Sequence, residues 1–394
     1  MDEGNFPNPL PVNRLSDNFF AKFNIEINRR RDEGADVIRM DMGSPDLPPA
    51  NHILEALTHS SSRLDSHGYQ SHRGVRSLRE AWLGYLKDRY RVVLNDENVL
   101  PLIGSKEGVF HLSLSLLNPG DLVLVPDPSY QTYVQAANFA KAKPFFFPLL
   151  PQNDYLPDLT AIPEQIARKA RIIWLNYPNN PTGAVASLEF FAQALEFCHR
   201  YDVLLCHDAA YQQVTFDDYI APSIFQVPAA SKVAVEFGSL SKAYNMAGWR
   251  VGFISGNADA VSALLKLKTH ADSGLFLPVM EAAVSALSGE QSWVKERNEI
   301  YRVRRDLMIT GLQEMGLNPN LPQAAIYLWC PVPSRFSSEA FVFSLLKNTH
   351  VSVAPGSMFG QRGEGYIRIS LTQPEERIKQ ALDRMGKWLN ADVR

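Results

Sequence analysis

The stretch SLSKAYNMAGWR, residues 239–250, sets one lysine, Lys242, between two serines and a run that ends in Arg250. Such a lysine is either a solvated surface charge or an amine whose surroundings keep it uncharged and nucleophilic. Other polar residues bear on that choice, because several of them also follow short apolar runs that read as strands. NVLPLIG hands over to Ser105 and Lys106, which open a helix whose free backbone N–H groups suit a phosphate. DLVLVPD is followed by PSYQTY, with Tyr130 expected early in the next helix. RIIWLNYP leads to NNPTG and Asn180, DVLLCH to Asp208 and Tyr211, and KVAVEFG to Ser239 and Lys242. In open α/β sheets, ligands gather beyond the carboxyl ends of the strands, where loops converge and helix N-termini point inward.

Each residue alone has a plainer reading as a helix cap, a core aromatic or a turn. Asp208 is harder to explain that way, since a carboxylate ending a buried strand needs a cationic or hydrogen-bonding partner. Phosphate donors, a flat ring, an amide, a carboxylate with a phenol, and a lysine together suit a phosphorylated, planar, cationic heterocycle that carries an aldehyde. Pyridoxal 5'-phosphate is such a ligand, needing a lysine for its aldehyde and a carboxylate for its ring nitrogen.

These residues need a scaffold, and the alternation of helical and strand patterns supplies one. After a helix over 17–34 and a short strand in VIRMDMGSPDLPP, amphipathic segments alternate with apolar runs through KVAVEFGS, the pattern of strands covered on both faces. This predicts an α/β fold with a large, doubly wound, mostly parallel sheet. A long amphipathic helix near 291–316, strands in AAIYLWCPV, VSVAPG and GYIRISLT, and helices at 337–349 and 374–390 predict a smaller α+β domain. The expected division is an N-terminal arm and part of the small domain over 1–45, a large cofactor-binding domain over 46–284, and a C-terminal small domain over 285–394.

Composition narrows the function classes. The chain has 394 residues, 45% of them hydrophobic, and a formal net charge of −3. That offers no basic field for nucleic acid or an anionic membrane, so any anion site must be local. Cys198, Cys206 and Cys330 are too scattered for a disulfide framework, which points to a reducing, cytoplasmic setting. The start MDEGNFPNPLPVNRL lacks the pattern of a signal peptide, and no run approaches the ~18 apolar residues of a membrane span. CHRYDVLLCH holds two Cys-His pairs, but Cys206 and His207 are strand neighbours on opposite faces, so no metal site is expected.

In order along the chain, GSKEG, PDPSYQTY, NYPNNPTGA, DAAY, VEFGSLSKAYNMAGWRVGF and GYIRISL resemble the class I/II, fold-type I, pyridoxal-phosphate-dependent aminotransferases over nearly the whole length. The wording of GSKEG with VEFGSLSKAYNMAGWR is similar to a subgroup assigned as LL-diaminopimelate aminotransferase. The resemblance implies transfer of an amino group between an L-amino acid and a 2-oxo acid. Glutamate and 2-oxoglutarate would form one pair, and the other substrate would be of the LL-diaminopimelate, aspartate or alanine type.

Lys242 corresponds to the lysine that joins the cofactor, Asp208 to the partner of the ring nitrogen, and Tyr211 and Asn180 to those of the phenolic oxygen. Tyr130 corresponds to the ring that stacks on the cofactor. Ser105, the Lys106 N–H, Ser239 and Arg250 correspond to phosphate ligands. Arg368 matches the clamp for the substrate α-carboxylate, with Gly43 in MGSPD closing over it and Asn180 beside it. Tyr69, in SHGYQSHRG, matches a tyrosine that reaches the phosphate of a neighbouring subunit, which implies a homodimer with shared active sites. The chain departs from the family where QAAIYLW has Ala324 and Ala325 in place of a common glycine, which bears on the pocket beside Tyr327. The side-chain pocket is expected from loops near 14–20, 106, 270–278 and 326. Two other readings are a pyridoxal-phosphate lyase or decarboxylase on the same fold, and a non-catalytic sensor domain. The sensor would come with a DNA-binding module, for which no basic helix pair is legible.

Overall fold

The computed structural model describes residues 19–391. The strands in chain order are β1 (Ile38–Arg39), β2 (Val99–Leu102), β3 (Leu122–Asp127), β4 (Lys143–Pro148), β5 (Ala170–Asn176), β6 (Leu204–Asp208), β7 (Ala234–Ser239), β8 (Gly252–Gly256), β9 (Tyr327–Pro331), β10 (Val351–Ser352), β11 (Ala354–Pro355) and β12 (Tyr366–Ser370). The helices are α1 (Phe19–Asp32), α2 (Asn51–Ser61), α3 (Arg76–Tyr90), α4 (Ser105–Leu116), α5 (Thr132–Phe139), α6 (Glu164–Ala167), α7 (Leu188–Tyr201), α8 (Leu240–Ala243), α9 (Ala258–Ala271), α10 (Leu277–Ser288), α11 (Ser292–Glu314), α12 (Ser338–Thr349) and α13 (Glu375–Ala391).

The apolar runs build a seven-stranded sheet in the order β2-β8-β7-β6-β5-β3-β4. Its strands are parallel except β8, which is antiparallel to both neighbours. The parallel ladder aligns Asn176 with Asp208 and Asp208 with Phe237, so the ends of β5, β6 and β7 open on the same edge. That shared edge is what lets residues far apart in sequence meet.

β8 was not among the expected strands. GFISG is short and glycine-bearing, and its pairing is dictated by what precedes it. Residues 240–251 form the turns that carry Lys242 and Arg250, not a crossover helix, so the chain returns antiparallel. Two other expectations need correcting. VSVAPG is two strands, because β10 pairs with β1 while β11 pairs with β12. Tyr130 lies in the turn before α5, which begins at Thr132.

β11, β12 and β9 form a three-stranded antiparallel sheet. Phe23 and Ile27 of α1, Tyr301, Met308 and Leu312 of α11, Phe341 of α12, and Ile378 and Met385 of α13 share one apolar cluster with Ile367 and Ile369 of β12. α1 therefore buries its apolar face among C-terminal elements. α10 packs on α2 and α3, whereas α11 packs on α13.

Behind the sheet, Trp82 of α3 stacks on Phe253 with ring centroids 4.2 Å apart and donates to Ser255 Oγ at 2.8 Å. Its ring lies so close to β7 that a Cβ on Gly238 would come within 2.4 Å of it. Glycine is required there for α3 to seat against the strand that delivers Lys242. Gly238→Ala should therefore lower stability by about 1–3 kcal/mol, since the ring cannot withdraw without leaving Phe253. Urea unfolding monitored by tryptophan fluorescence reads this, and an unchanged midpoint would contradict the contact.

Candidate active site

Asp208 ends β6 and is buried. The Tyr133 hydroxyl donates to its Oδ2 at 2.8 Å and the Ala210 N–H to its Oδ1 at 3.3 Å. Asn176, at the end of β5, donates through Nδ2 to the Asp208 main-chain oxygen at 2.6 Å and accepts from the Asn180 N–H at 2.7 Å. Burial pushes the Asp208 carboxyl pKa up, against the pull of Tyr133. A carboxylate this buried, with a phenol for a partner, favours a cation that enters the site.

Lys242 sits in α8, and its Nζ donates to the Gly43 carbonyl at 2.7 Å. Burial of the amine, then Arg250, then Arg368, lower its pKa from 10.5 to about 8. The Gly43 carbonyl can come this close because position 43 has no side chain: a Cβ there would lie 1.7 Å from the Tyr327 hydroxyl.

α4 starts at Ser105 after Gly104, an N-cap residue with no side chain to offer the first N–H groups. Arg250, in left-handed conformation (φ 60°), reaches over Gly104, where a Cβ would meet its guanidinium at 2.3 Å. It donates to the Ala247 carbonyl at 2.9 Å and to Ser241 Oγ at 3.4 Å. Uncapped N–H groups, serine hydroxyls and a guanidinium form a cradle for a dianion.

Opposite, Arg368 of β12 is buried. It donates to Asn180 Oδ1 at 2.7 Å and to the Asp41 carbonyl at 2.9 Å. Its guanidinium lies 4.0 Å from the centroid of the Tyr327 ring and 4.7 Å from that of Phe359, and among the described residues its Nε has no partner. Tyr211 shares a 2.9 Å hydrogen bond with the Tyr327 hydroxyl.

These groups line one cavity of about 430 Å³. Ser105, Lys106, Tyr130, Asn180, Asp208, Tyr211, Ser239, Lys242, Arg250, Arg368 and Gly43 all contribute to its wall. Tyr69 does not; it is 97% exposed. Of the expected side-chain loops, 106 reaches the cavity, 326 only through its neighbour Tyr327, and 270–278 not at all, while 14–18 lie outside the described residues. A larger open cleft of about 1450 Å³, between α3, α11 and residues 213–220, holds none of the expected residues.

Sequence reasoning missed Tyr133, Asn176, Ser241 and Tyr327. The first two act through contacts with residues on other strands and carry no local signal. Tyr327 stood out only as the neighbour of the departure at Ala324 and Ala325. His207 directs one ring nitrogen to Glu236 at 3.0 Å and the other to the Tyr177 carbonyl at 2.9 Å, away from the cysteines.

The cavity offers a dianion cradle, an aromatic face at Tyr130, a buried carboxylate and an amine of lowered pKa. That donor set fits pyridoxal 5'-phosphate.

Residues 35–385 match the family described as aminotransferase class I and II. The chain is 45% identical over 367 residues to an LL-diaminopimelate aminotransferase of Syntrophobacter fumaroxidans, spanning 92% of this chain and 95% of that relative. It is 41% identical over 379 residues to a protein of the same name from Moorella thermoacetica, spanning 96% and 97%. Among solved structures, substrate-bound BacF from Bacillus subtilis superposes with a TM-score of 0.94 at 34% identity, over 97% of this chain and 98% of that one.

The lowered Lys242 pKa predicts how the cofactor-free protein behaves. Because the folded value is depressed to about 8 from 10.5, the uncharged amine predominates above about pH 8. Acylation of Lys242, followed by peptide mapping across pH, should show its midpoint there. A midpoint at the ordinary lysine value would refute the burial argument.

Proposed function

The chain belongs to the class I and II aminotransferases, and from that premise we propose which residues carry out the transfer and on which substrate. It is a pyridoxal-phosphate-dependent enzyme that moves an amino group between an amino acid and a 2-oxo acid. Family membership does not favour the lyase, decarboxylase or sensor readings.

The observation that carries the assignment is the convergence of Lys242, Asp208 and Arg368 on one cavity. When bound, the cofactor supplies an electron sink for the bond that breaks at the substrate Cα. Lys242 holds the cofactor and, once released, moves the proton at the substrate Cα through Nζ. Asp208 keeps a proton on the ring nitrogen by its charge. Tyr211 and Asn180 hold the phenolic oxygen, and Tyr130 covers a ring face. Ser105, the Lys106 N–H, Ser239 and Arg250 hold the phosphate. Arg368, with Asn180 and Gly43 beside it, binds the α-carboxylate shared by every amino acid and 2-oxo acid that enters.

The proposed substrates are LL-diaminopimelate with 2-oxoglutarate and glutamate as the partner pair. The names of relatives at 45% and 41% identity support this choice. The proposed division is 1–45 and 285–394 against 46–284, with α10 running across position 284. The proposed assembly is a two-fold homodimer in the cytoplasm, in which Tyr69 completes the partner's phosphate site. The exposure of Tyr69 supports the assembly, and among the described residues no helix is long and apolar enough to cross a membrane.

Two experiments test this reading. Holoenzyme mixed singly with LL-diaminopimelate, glutamate, aspartate or alanine should convert its cofactor fastest with the first two. Discrimination against the others should be roughly tenfold or more, as expected of a side-chain pocket. Arg368→Lys should slow all of them by a similar factor, since it keeps the charge and loses the fork; equal rates in the wild type, or an effect confined to one substrate, would reject the assignment. Mixed dimers of a Lys242→Ala chain and a Tyr69→Phe chain should regain activity above either parent, and no gain would reject shared sites.

A further inference from the structure

Arg297 of α11 is a guanidinium with 1% exposure, and among the described residues no carboxylate pairs with it. Burial of an unpaired cation is costly, and here it lowers the arginine pKa to about 10. What surrounds the charge is a set of oxygens. Nη1 donates to the main-chain carbonyls of Lys242 and Ala243, the latter at 3.0 Å, and to Asn245 Oδ1 at 3.3 Å. Nη2 donates to the Gln213 carbonyl at 2.9 Å, which also accepts from Asn298 Nδ2 at 3.0 Å. The faces of Trp293 and Tyr301 lie 5.6 and 6.0 Å from the guanidinium carbon.

These acceptors belong to two turns that the sheet does not join. α8 is a single helical turn, so its last carbonyls have no partner within the helix. Gln213 lies just past Tyr211, in the turn that follows β6. The ladder between β6 and β7 ends at Asp208 and Phe237, with one further bond from the Ala209 N–H to the Phe237 carbonyl. Beyond it, Arg297 spans the gap.

We propose that Arg297 is a positioning residue for the Lys242 amine, tying the turn that carries Lys242 to the turn that follows Asp208 and carries Tyr211. It acts from behind, on the main chain, while the Lys242 side chain enters the cavity on the other side. There the amine shares the cavity with Arg250 after α8, Arg368 of β12, Asp208 at the end of β6, Tyr211 in the turn after it, Lys106 of α4, Tyr130 before α5 and Tyr327 of β9. A lysine side chain freed by a loosened turn moves away from the cations and toward water. The proposal rests on Lys242 being the cofactor lysine.

The test is the acylation midpoint of Lys242 in the full-length, cofactor-free chain, with exposed Lys387 as an internal reference. Arg297→Met should raise the Lys242 midpoint by roughly one pH unit toward the ordinary lysine value, leaving Lys387 where it was. Arg297→Lys keeps the charge but cannot span acceptors on two turns, so it should raise the midpoint by about half as much. A Lys242 midpoint unmoved in both variants overturns the proposal. So does a shift in the methionine variant with none in the lysine variant, which would make the effect one of charge alone. If the methionine variant does not fold, the lysine variant decides by the same criterion. Failure of the underlying reading has its own signature: borohydride then fixes the cofactor to a different lysine in the wild-type holoenzyme.

Discussion

An amine can attack an aldehyde near neutral pH only where its ammonium form is disfavoured, and the architecture around Lys242 imposes that condition. Burial contributes most, followed by the charges of Arg250 and Arg368. Lowering the lysine from 10.5 to about 8 corresponds to a bias on the order of 3 kcal/mol against the charged form. The single hydrogen bond to the Gly43 carbonyl, worth about 1 kcal/mol net, does not offset that bias. The cations therefore serve twice. Arg250 and Arg368 make the cavity favourable for anions and also disfavour the charged form of the lysine.

Asp208 poses the opposite problem on the facing strand end. Its burial penalises the negative charge, and Tyr133 only partly compensates. A cation that enters beside Asp208 removes the penalty, an electrostatic cost already present in the fold. The parallel ladder makes this possible, because it stops β5, β6 and β7 on one edge and leaves their next residues free to converge.

Much of this was legible in the sequence wherever chemistry interrupts an apolar run. Asp208 after DVLLCH, Asn180 after RIIWLNYP and Lys242 after KVAVEFG each mark a strand end locally, and all three line the cavity. What escaped is set by packing between elements. The direction of β8 follows from the length of the turn before it. The split of VSVAPG follows from its two different partners. Tyr133 reads as one more aromatic in a helix until β6 brings Asp208 against its hydroxyl. Arg297 reads as one more charge in a polar helix, and its burial appears only when two turns close over it.

The short ribbon from Asp41 to Gly43, whose Met42 and Gly43 line the cavity, is held at two points. Arg368 grips its first carbonyl and Lys242 its last. Both grips are hydrogen bonds to main-chain oxygens, so the place of the ribbon and the aim of the two cationic side chains are set together: a shift of either carbonyl displaces the guanidinium or the amine that it accepts from.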